Sequence, residues 1–153
     1  MQRQKAVLFV CLGNICRSPA CEGICKLLSK DKIYVSSAGT SRWHRNECPD
    51  ERSQEICMKH GIDISGCRAR QIRADDWKLF DIIAALDDTV YENLNSSRPD
   101  DAIAKVVLFN APHGIQDPYY GGRTGFQKMF DQIYEAMTPF LIENGLLTPE
   151  ELN

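Results

Sequence analysis

Cys11 and Arg17 stand at the two ends of one short turn of sequence, Cys11-Leu12-Gly13-Asn14-Ile15-Cys16-Arg17, which runs on into Ser18-Pro19. A thiol and a guanidinium so placed converge only if the chain between them curls. Gly13 and Asn14 are the residue types that most readily take left-handed backbone angles. A loop curled in that sense turns its N–H groups inward as an anion nest, and a helix starting at Ser18 adds about half a positive charge there. Arg17 brings a planar fork that matches an oxyanion. Such surroundings favour thiolate over thiol, and a thiolate at the floor of an oxyanion cradle can attack phosphorus in line. The product is a phosphocysteine whose equatorial oxygens are held by Arg17 and the loop amides. The bland alternative is a buried cysteine that packs as a small hydrophobe and an arginine that is merely solvated. The Gly-Asn pair, the apolar run before it and Ser-Pro after it weigh against that alternative.

Several elements must hold this loop. Ala6 to Val10 is continuously apolar, as in a parallel strand covered on both faces, and predicts a strand over Lys5 to Cys11. Ser18-Pro19 reads as a cap and first helical residue, with a helix through Ser29 that places Ile24, Leu27 and Leu28 on one face. Ile33 to Ser37 predicts a second strand. Pro49-Asp50-Glu51 opens a second helix that ends at His60-Gly61. Asp81 to Leu86 and Lys105 to Phe109 predict the third and fourth strands, each followed by a loop and a helical pattern. Phe126, Phe130, Ile133, Tyr134, Met137 and Leu141 recur at helical spacing from Gly125 to Asn144. Strands that alternate with helices imply one α/β domain over residues 1–153, a four-stranded parallel sheet with helices on both faces. Ligands in such folds bind outside the carboxyl ends of the strands. That points to the loops Cys11 to Ser18, Ser36 to Pro49 and Asn110 to Gly122.

The 153 residues suffice for a core without staples, and 43% hydrophobic with 25% charged residues is an ordinary globular composition. A net charge of −3 offers no basic surplus for nucleic acid. Arg68, Arg70 and Arg73 form a local basic run that reads as a solvated face. No stretch is long enough to span a membrane, and the start, Met1 to Lys5 before a brief apolar segment, lacks a signal-peptide core. Seven irregularly spaced cysteines argue against a secreted disulfide framework, so a cytoplasmic protein is expected. Cys21 and Cys25 share a helix face, and His44 lies four residues from Cys48, yet no paired zinc spacing occurs. The three histidines show no triad spacing, and there is no nucleotide-binding Gly-Lys-Ser/Thr loop.

The run Val10 to Pro19 resembles the signature of the low-molecular-weight protein tyrosine phosphatases. Further along, Ser36-Ser37-Ala38-Gly39-Thr40 with Trp43, His60-Gly61-Ile62, Ala69-Arg70-Gln71, Leu86-Asp87 and Asp117-Pro118-Tyr119-Tyr120-Gly121 are similar to that family's later segments. The resemblance implies a flavodoxin-like sheet of order 2-1-3-4 and phosphotyrosine hydrolysis without metal or other cofactor. It makes Cys11 the nucleophile, Arg17 the phosphate clamp and Asp117 the proton donor. Residues Leu12 to Arg17 would bind phosphate, namely Leu12, Gly13, Asn14, Ile15, Cys16 and Arg17. Asn14, Ser18, Ser37 and Asp87 would support the loop, while Leu12, Ile15, Trp43, Tyr119 and Tyr120 would line the substrate cleft. Cys16 would be a redox partner that closes a protective disulfide on Cys11. Relatives that act on phosphoarginine carry a threonine where Ile15 stands, so Ile15 favours tyrosine. Gly66 falls where some members have a histidine that orders Asn14 and Ser37, and Arg42 to Cys48 departs from the pattern beyond Trp43.

The chemistry itself asks for an acid, because a phenolate leaves poorly unless protonated. Asp-Pro alone is more often a turn starter, and its place after the fourth strand favours the catalytic assignment. The expected partners are phosphotyrosine proteins and inorganic phosphate or other oxyanions, with a monomer and at most weak self-association. Two rival functions remain to weigh. An arsenate reductase of the same fold needs further thiols after the third strand, and Asp81 to Leu94 has none. A phosphotyrosine-binding module without turnover does not need the intact Cys11, Arg17 and Asp117.

Overall fold

Leu8 and Phe9 are both wholly buried neighbours on one strand, which is possible only where layers cover both faces of a sheet. The computed structural model, which describes residues 4–153, has that form. Met1 to Arg3, part of the start considered above, lie outside the described residues. The strands are β1 (Ala6–Cys11), β2 (Tyr34–Gly39), β3 (Ile82–Ala85) and β4 (Lys105–Leu108). All pair in parallel in the order β2-β1-β3-β4, as expected. The helices are α1 (Arg17–Ser29), α2 (Glu51–Lys59), α3 (Asp76–Leu79), α4 (Asp88–Ser97) and α5 (Gly122–Glu143), followed by a single 3-10 turn at Glu150–Leu152.

The pleat sorts β1 by parity. Val7, Phe9 and Cys11 face a core shared with Ile24 of α1, Cys57 of α2 and Phe126, Phe130 and Ile133 of α5. Ala6, Leu8 and Val10 face a second core with Trp77 of α3 and Val90 and Leu94 of α4. Phe9, Phe109 and Phe140 pack ring against ring at 4.9 to 5.8 Å between centroids, which ties β1 to the end of β4 and to α5. Cys21 and Cys25 belong to the first core, where their shared helix face places them.

Two expectations need correction, and one short helix was not predicted. The first helix begins at Arg17, so Ser18 lies inside it and caps nothing; the cap position is Cys16, without a side-chain bond. The last helix starts at Gly122, three residues earlier than its apolar periodicity, because the first turn is exposed and carries no core contact to set a pattern. The short α3 left no periodic signal at all, being a single turn held by Asp76. The α2 start is as read: Asp50 caps it by accepting from the Arg52 N–H, and Gly61 follows its end at φ +75°.

Candidate active site

The carboxyl ends of β1, β2 and β4 bring the three suspect loops to one edge of the sheet. Cys11 is the last residue of β1 and pairs with Gly39, the last of β2. A side chain at Gly39 is impossible, since its Cβ would stand 2.7 Å from the carbonyl of Leu12. The backbone between Cys11 and Arg17 turns over at Asn14, which has φ +58°. Gly13 was expected to share that role and does not have a positive φ. Its lack of a side chain answers a different need, because a Cβ there would sit 3.0 Å from Cδ2 of His44.

Curling points the loop inward as the residue types suggest. The Asn14 N–H donates to Cys11 Sγ at 3.2 Å. Among the described residues, no protein acceptor takes the N–H groups of Leu12, Gly13, Ile15 or Cys16. A cluster of unspent donors at the start of a helix is an anion site. Arg17 is buried at its edge, and both of its hydrogen bonds use Nη1, to Asp87 Oδ2 at 2.7 Å and to the Ile115 carbonyl at 3.0 Å. Nη2 and Nε are left for an oxyanion. Burial works against the charge of Arg17, but the Cys11 sulfur and the hydrogen bond and charge of Asp87 outweigh it and hold the guanidinium above its ordinary range. Asp87 is itself fixed, since its Oδ1 caps α4 by accepting from the Val90 N–H.

Behind the loop runs a chain of side chains. Asn14 Oδ1 accepts from the Arg70 N–H at 3.0 Å, which orients the amide. Its Nδ2 then donates to Ser18 Oγ at 2.7 Å and to Ser37 Oγ at 3.0 Å. Ser37 donates onward to Glu22 Oε1 at 2.7 Å, and Lys26 Nζ holds the other carboxylate oxygen at 2.7 Å. Ser18 Oγ meets Cys11 Sγ at 3.0 Å. Gly66 borders open space and offers no side chain to order Asn14 and Ser37. Glu22 reaches Ser37 instead. Sequence reasoning missed it because a glutamate on a helix is ordinary; the signal available was its place one turn beyond Ser18 on the same helix face.

The cleft above has a volume of about 550 Å³ and is lined by Cys11, Leu12, Ile15, Arg17, Trp43 and Asp117 among others. Trp43 and Tyr120 project almost fully exposed at its mouth, and Tyr119 is half-buried with its ring against Arg52. Asp117 stands half-exposed with Oδ2 3.9 Å from Arg17 Nη2, its other oxygen accepting from the Tyr119 N–H as an Asp-Pro turn does. Ser41 and His44 also line the cleft and were not expected there. Cys16 is buried beside the loop with its carbonyl bonded to Ser53, and burial, then the charges of Asp50 and Cys11, push its thiol far above the ordinary range. The basic run Arg68 to Arg73 is only partly the solvated face expected. Arg70 makes a two-pronged pair with the buried Asp76 and braces the backbone that binds Asn14.

Residues 6–151 match the family described as low molecular weight phosphotyrosine protein phosphatase. The chain belongs to that family. A Schizosaccharomyces pombe phosphatase of this name is 38% identical, with 92% of this chain and 97% of that one covered. Among solved structures, the low molecular weight protein tyrosine phosphatase of Tritrichomonas foetus is 54% identical, covers 96% of this chain and 100% of its own, and superposes with a TM-score of 0.84. A Drosophila arginine phosphatase is 33% identical over 90% of this chain and 96% of its own, with a TM-score of 0.82. Every phosphatase position named from the sequence lies in the loop, behind it or around the cleft, and the additions are Glu22, Ser41, His44 and the backbone of Ile115 and Arg70.

Proposed function

We propose that the chain is a cysteine-dependent protein tyrosine phosphatase that works through a phosphocysteine. One observation carries this: the Cys11 sulfur, the unspent loop amides and the free edge of Arg17 converge at the floor of a cleft that Asp117 overlooks. Cys11 thiolate attacks phosphorus, the S–P bond forms and the bond to the aryl oxygen breaks, while Asp117 gives that oxygen its proton. Ionised Asp117 then takes a proton from water, whose oxygen displaces the sulfur and frees phosphate. Arg17 and the amides of Leu12 to Arg17 stabilise the equatorial oxygens in both steps. Asn14, Ser18, Ser37 and Asp87 keep the loop and Arg17 in place.

The substrate follows from the cleft. Its aromatic and apolar walls, Trp43, Tyr119, Tyr120, Leu12 and Ile15, suit an aryl phosphate held at the depth of the sulfur, which a shorter phosphoserine would not reach. The apolar Ile15 at the floor supports phosphotyrosine over the charged guanidino group of phosphoarginine. Phosphotyrosine proteins are therefore the partners, inorganic phosphate the product and competitor, and a monomer in the cytoplasm the working form. Among the described residues no helix is long and apolar enough to cross a membrane. Cys16 is assigned as the thiol that condenses with a sulfenic acid on Cys11, forming the S–S bond and releasing water.

The test is hydrolysis of p-nitrophenyl phosphate by the wild type, Cys11→Ser and Asp117→Ala, with EDTA present. Activity that Cys11→Ser abolishes and Asp117→Ala cuts by about 10²-fold or more supports the assignments. A wild type with reduced thiols and no turnover refutes them.

A further inference from the structure

A second groove of about 460 Å³ adjoins the active cleft, and the two share Leu12 and Ser41 as their common ridge. Its floor is apolar, from Ile72, Trp77 and Leu94, and polar side chains rim it. Among the described residues, Arg73 is the only charged one in its lining. The Arg73 side chain is exposed and bound to no carboxylate among the described residues, whereas Arg70 beside it is committed to Asp76. The backbone under Arg73 is rigidly held, its N–H donating to Asp76 Oδ2 at 2.7 Å and Ile72 N–H bonding to the carbonyl of Gly39.

We propose that this groove docks the polypeptide flanking the phosphotyrosine, with Arg73 receiving an acidic side chain of that segment. The inference rests on the phosphatase reading and narrows it to phosphotyrosines in acidic surroundings. A substrate whose ring enters the cleft must lead its chain away across an exposed rim, and half-exposed Leu12 is the low ridge between the two depressions. An extended chain advances about 3.3 Å per residue, so an acidic group about three residues away comes within reach of a long arginine. The apolar floor receives the intervening side chain, and the guanidinium of Arg73 in the lining selects a carboxylate over an ammonium.

The experiment compares kcat/KM for three substrates: p-nitrophenyl phosphate, a phosphotyrosine peptide with glutamates in the three flanking positions on each side, and the same peptide with lysines. Arg73→Ala is expected to lower kcat/KM for the glutamate peptide about fivefold, as befits one solvent-facing charge pair. It should leave p-nitrophenyl phosphate unchanged. Arg73→Glu should reverse the preference between the two peptides, and added salt should erode the wild-type preference. Equal effects on both peptides, or none, would overturn the groove while normal p-nitrophenyl phosphate turnover kept the phosphatase reading intact. A wild type inactive on p-nitrophenyl phosphate would remove both.

Discussion

Replacing Glu22, which touches no substrate, should slow the enzyme by disordering protons rather than atoms. The carboxylate can only accept, so the Ser37 hydroxyl must donate to it and its oxygen must accept from Asn14 Nδ2. Because the Arg70 N–H fixes Asn14 Oδ1, the other Nδ2 hydrogen goes to Ser18. Ser18 then has one hydrogen left, and Cys11 Sγ at 3.0 Å is a nearer acceptor than the Ala38 carbonyl at 3.5 Å. Glu22 and the Arg70 N–H together set the direction of a chain that ends as a donor to the Cys11 sulfur. In Glu22→Leu the buried Ser37 hydroxyl loses its acceptor and can turn toward Asn14 or elsewhere. A hydrogen bond to a charged group contributes about 1.5–3 kcal/mol, and releasing its direction forfeits only part of that. A loss near 1.4 kcal/mol makes Glu22→Leu about tenfold slower in kcat. Glu22→Gln keeps an acceptor oxygen and should stay within about threefold of wild type. The assays are kcat and KM on p-nitrophenyl phosphate together with the rate of iodoacetamide alkylation of Cys11 at mildly acidic pH. Equal rates for the leucine variant and wild type, or equal damage from leucine and glutamine, would refute the directional argument.

Asp87→Asn leaves the buried Arg17 guanidinium without its counter-charge while keeping an acceptor for the Val90 N–H. It should cost about 3 kcal/mol in urea unfolding and raise KM, and a loss under about 1 kcal/mol would show that Asp87 is dispensable. Iodoacetamide at neutral pH should label Cys11 and spare Cys16, whose thiol burial holds far above the ordinary range. Peptide mapping with comparable labelling at Cys16 would contradict that. Asp50→Ala removes the α2 cap and should cost about 1 kcal/mol at neutral pH. The hydrogen bond from the Arg52 side chain, against the cost of burial, holds the Asp50 carboxyl below its usual range. That part of the stability is therefore present above about pH 3.9 and lost as pH falls through the lower folded value. The pair is solvent-screened, so urea midpoints of variant and wild type should draw only somewhat closer between pH 7 and pH 3. A gap that widens on acidification would reverse the sign.

What the sequence determined unaided was whatever depends on neighbours along the chain. The unbroken apolar run Ala6 to Val10 demanded a strand buried on both faces, because only a sheet between two layers accepts both parities. Cys11, Asn14 and Arg17 declared the cradle, since only a turn with a left-handed residue returns the chain so quickly, and Asp50 and Gly61 marked the bounds of α2. Where a local signal served two purposes, it misled. Ser18-Pro19 looked like a cap, yet the hydroxyl is spent on Cys11 and Asn14, and Gly13 is small to clear His44 rather than to turn. Everything that depends on distant partners was left to the tertiary structure. The sequence could not show that Glu22 would meet Ser37, that the amide of Arg70 would orient Asn14, or that Arg73 alone of its basic run would face a groove unpaired. Those contacts join segments far apart in the chain, and parallel strand register, which sets them, is decided by how both cores close over the sheet.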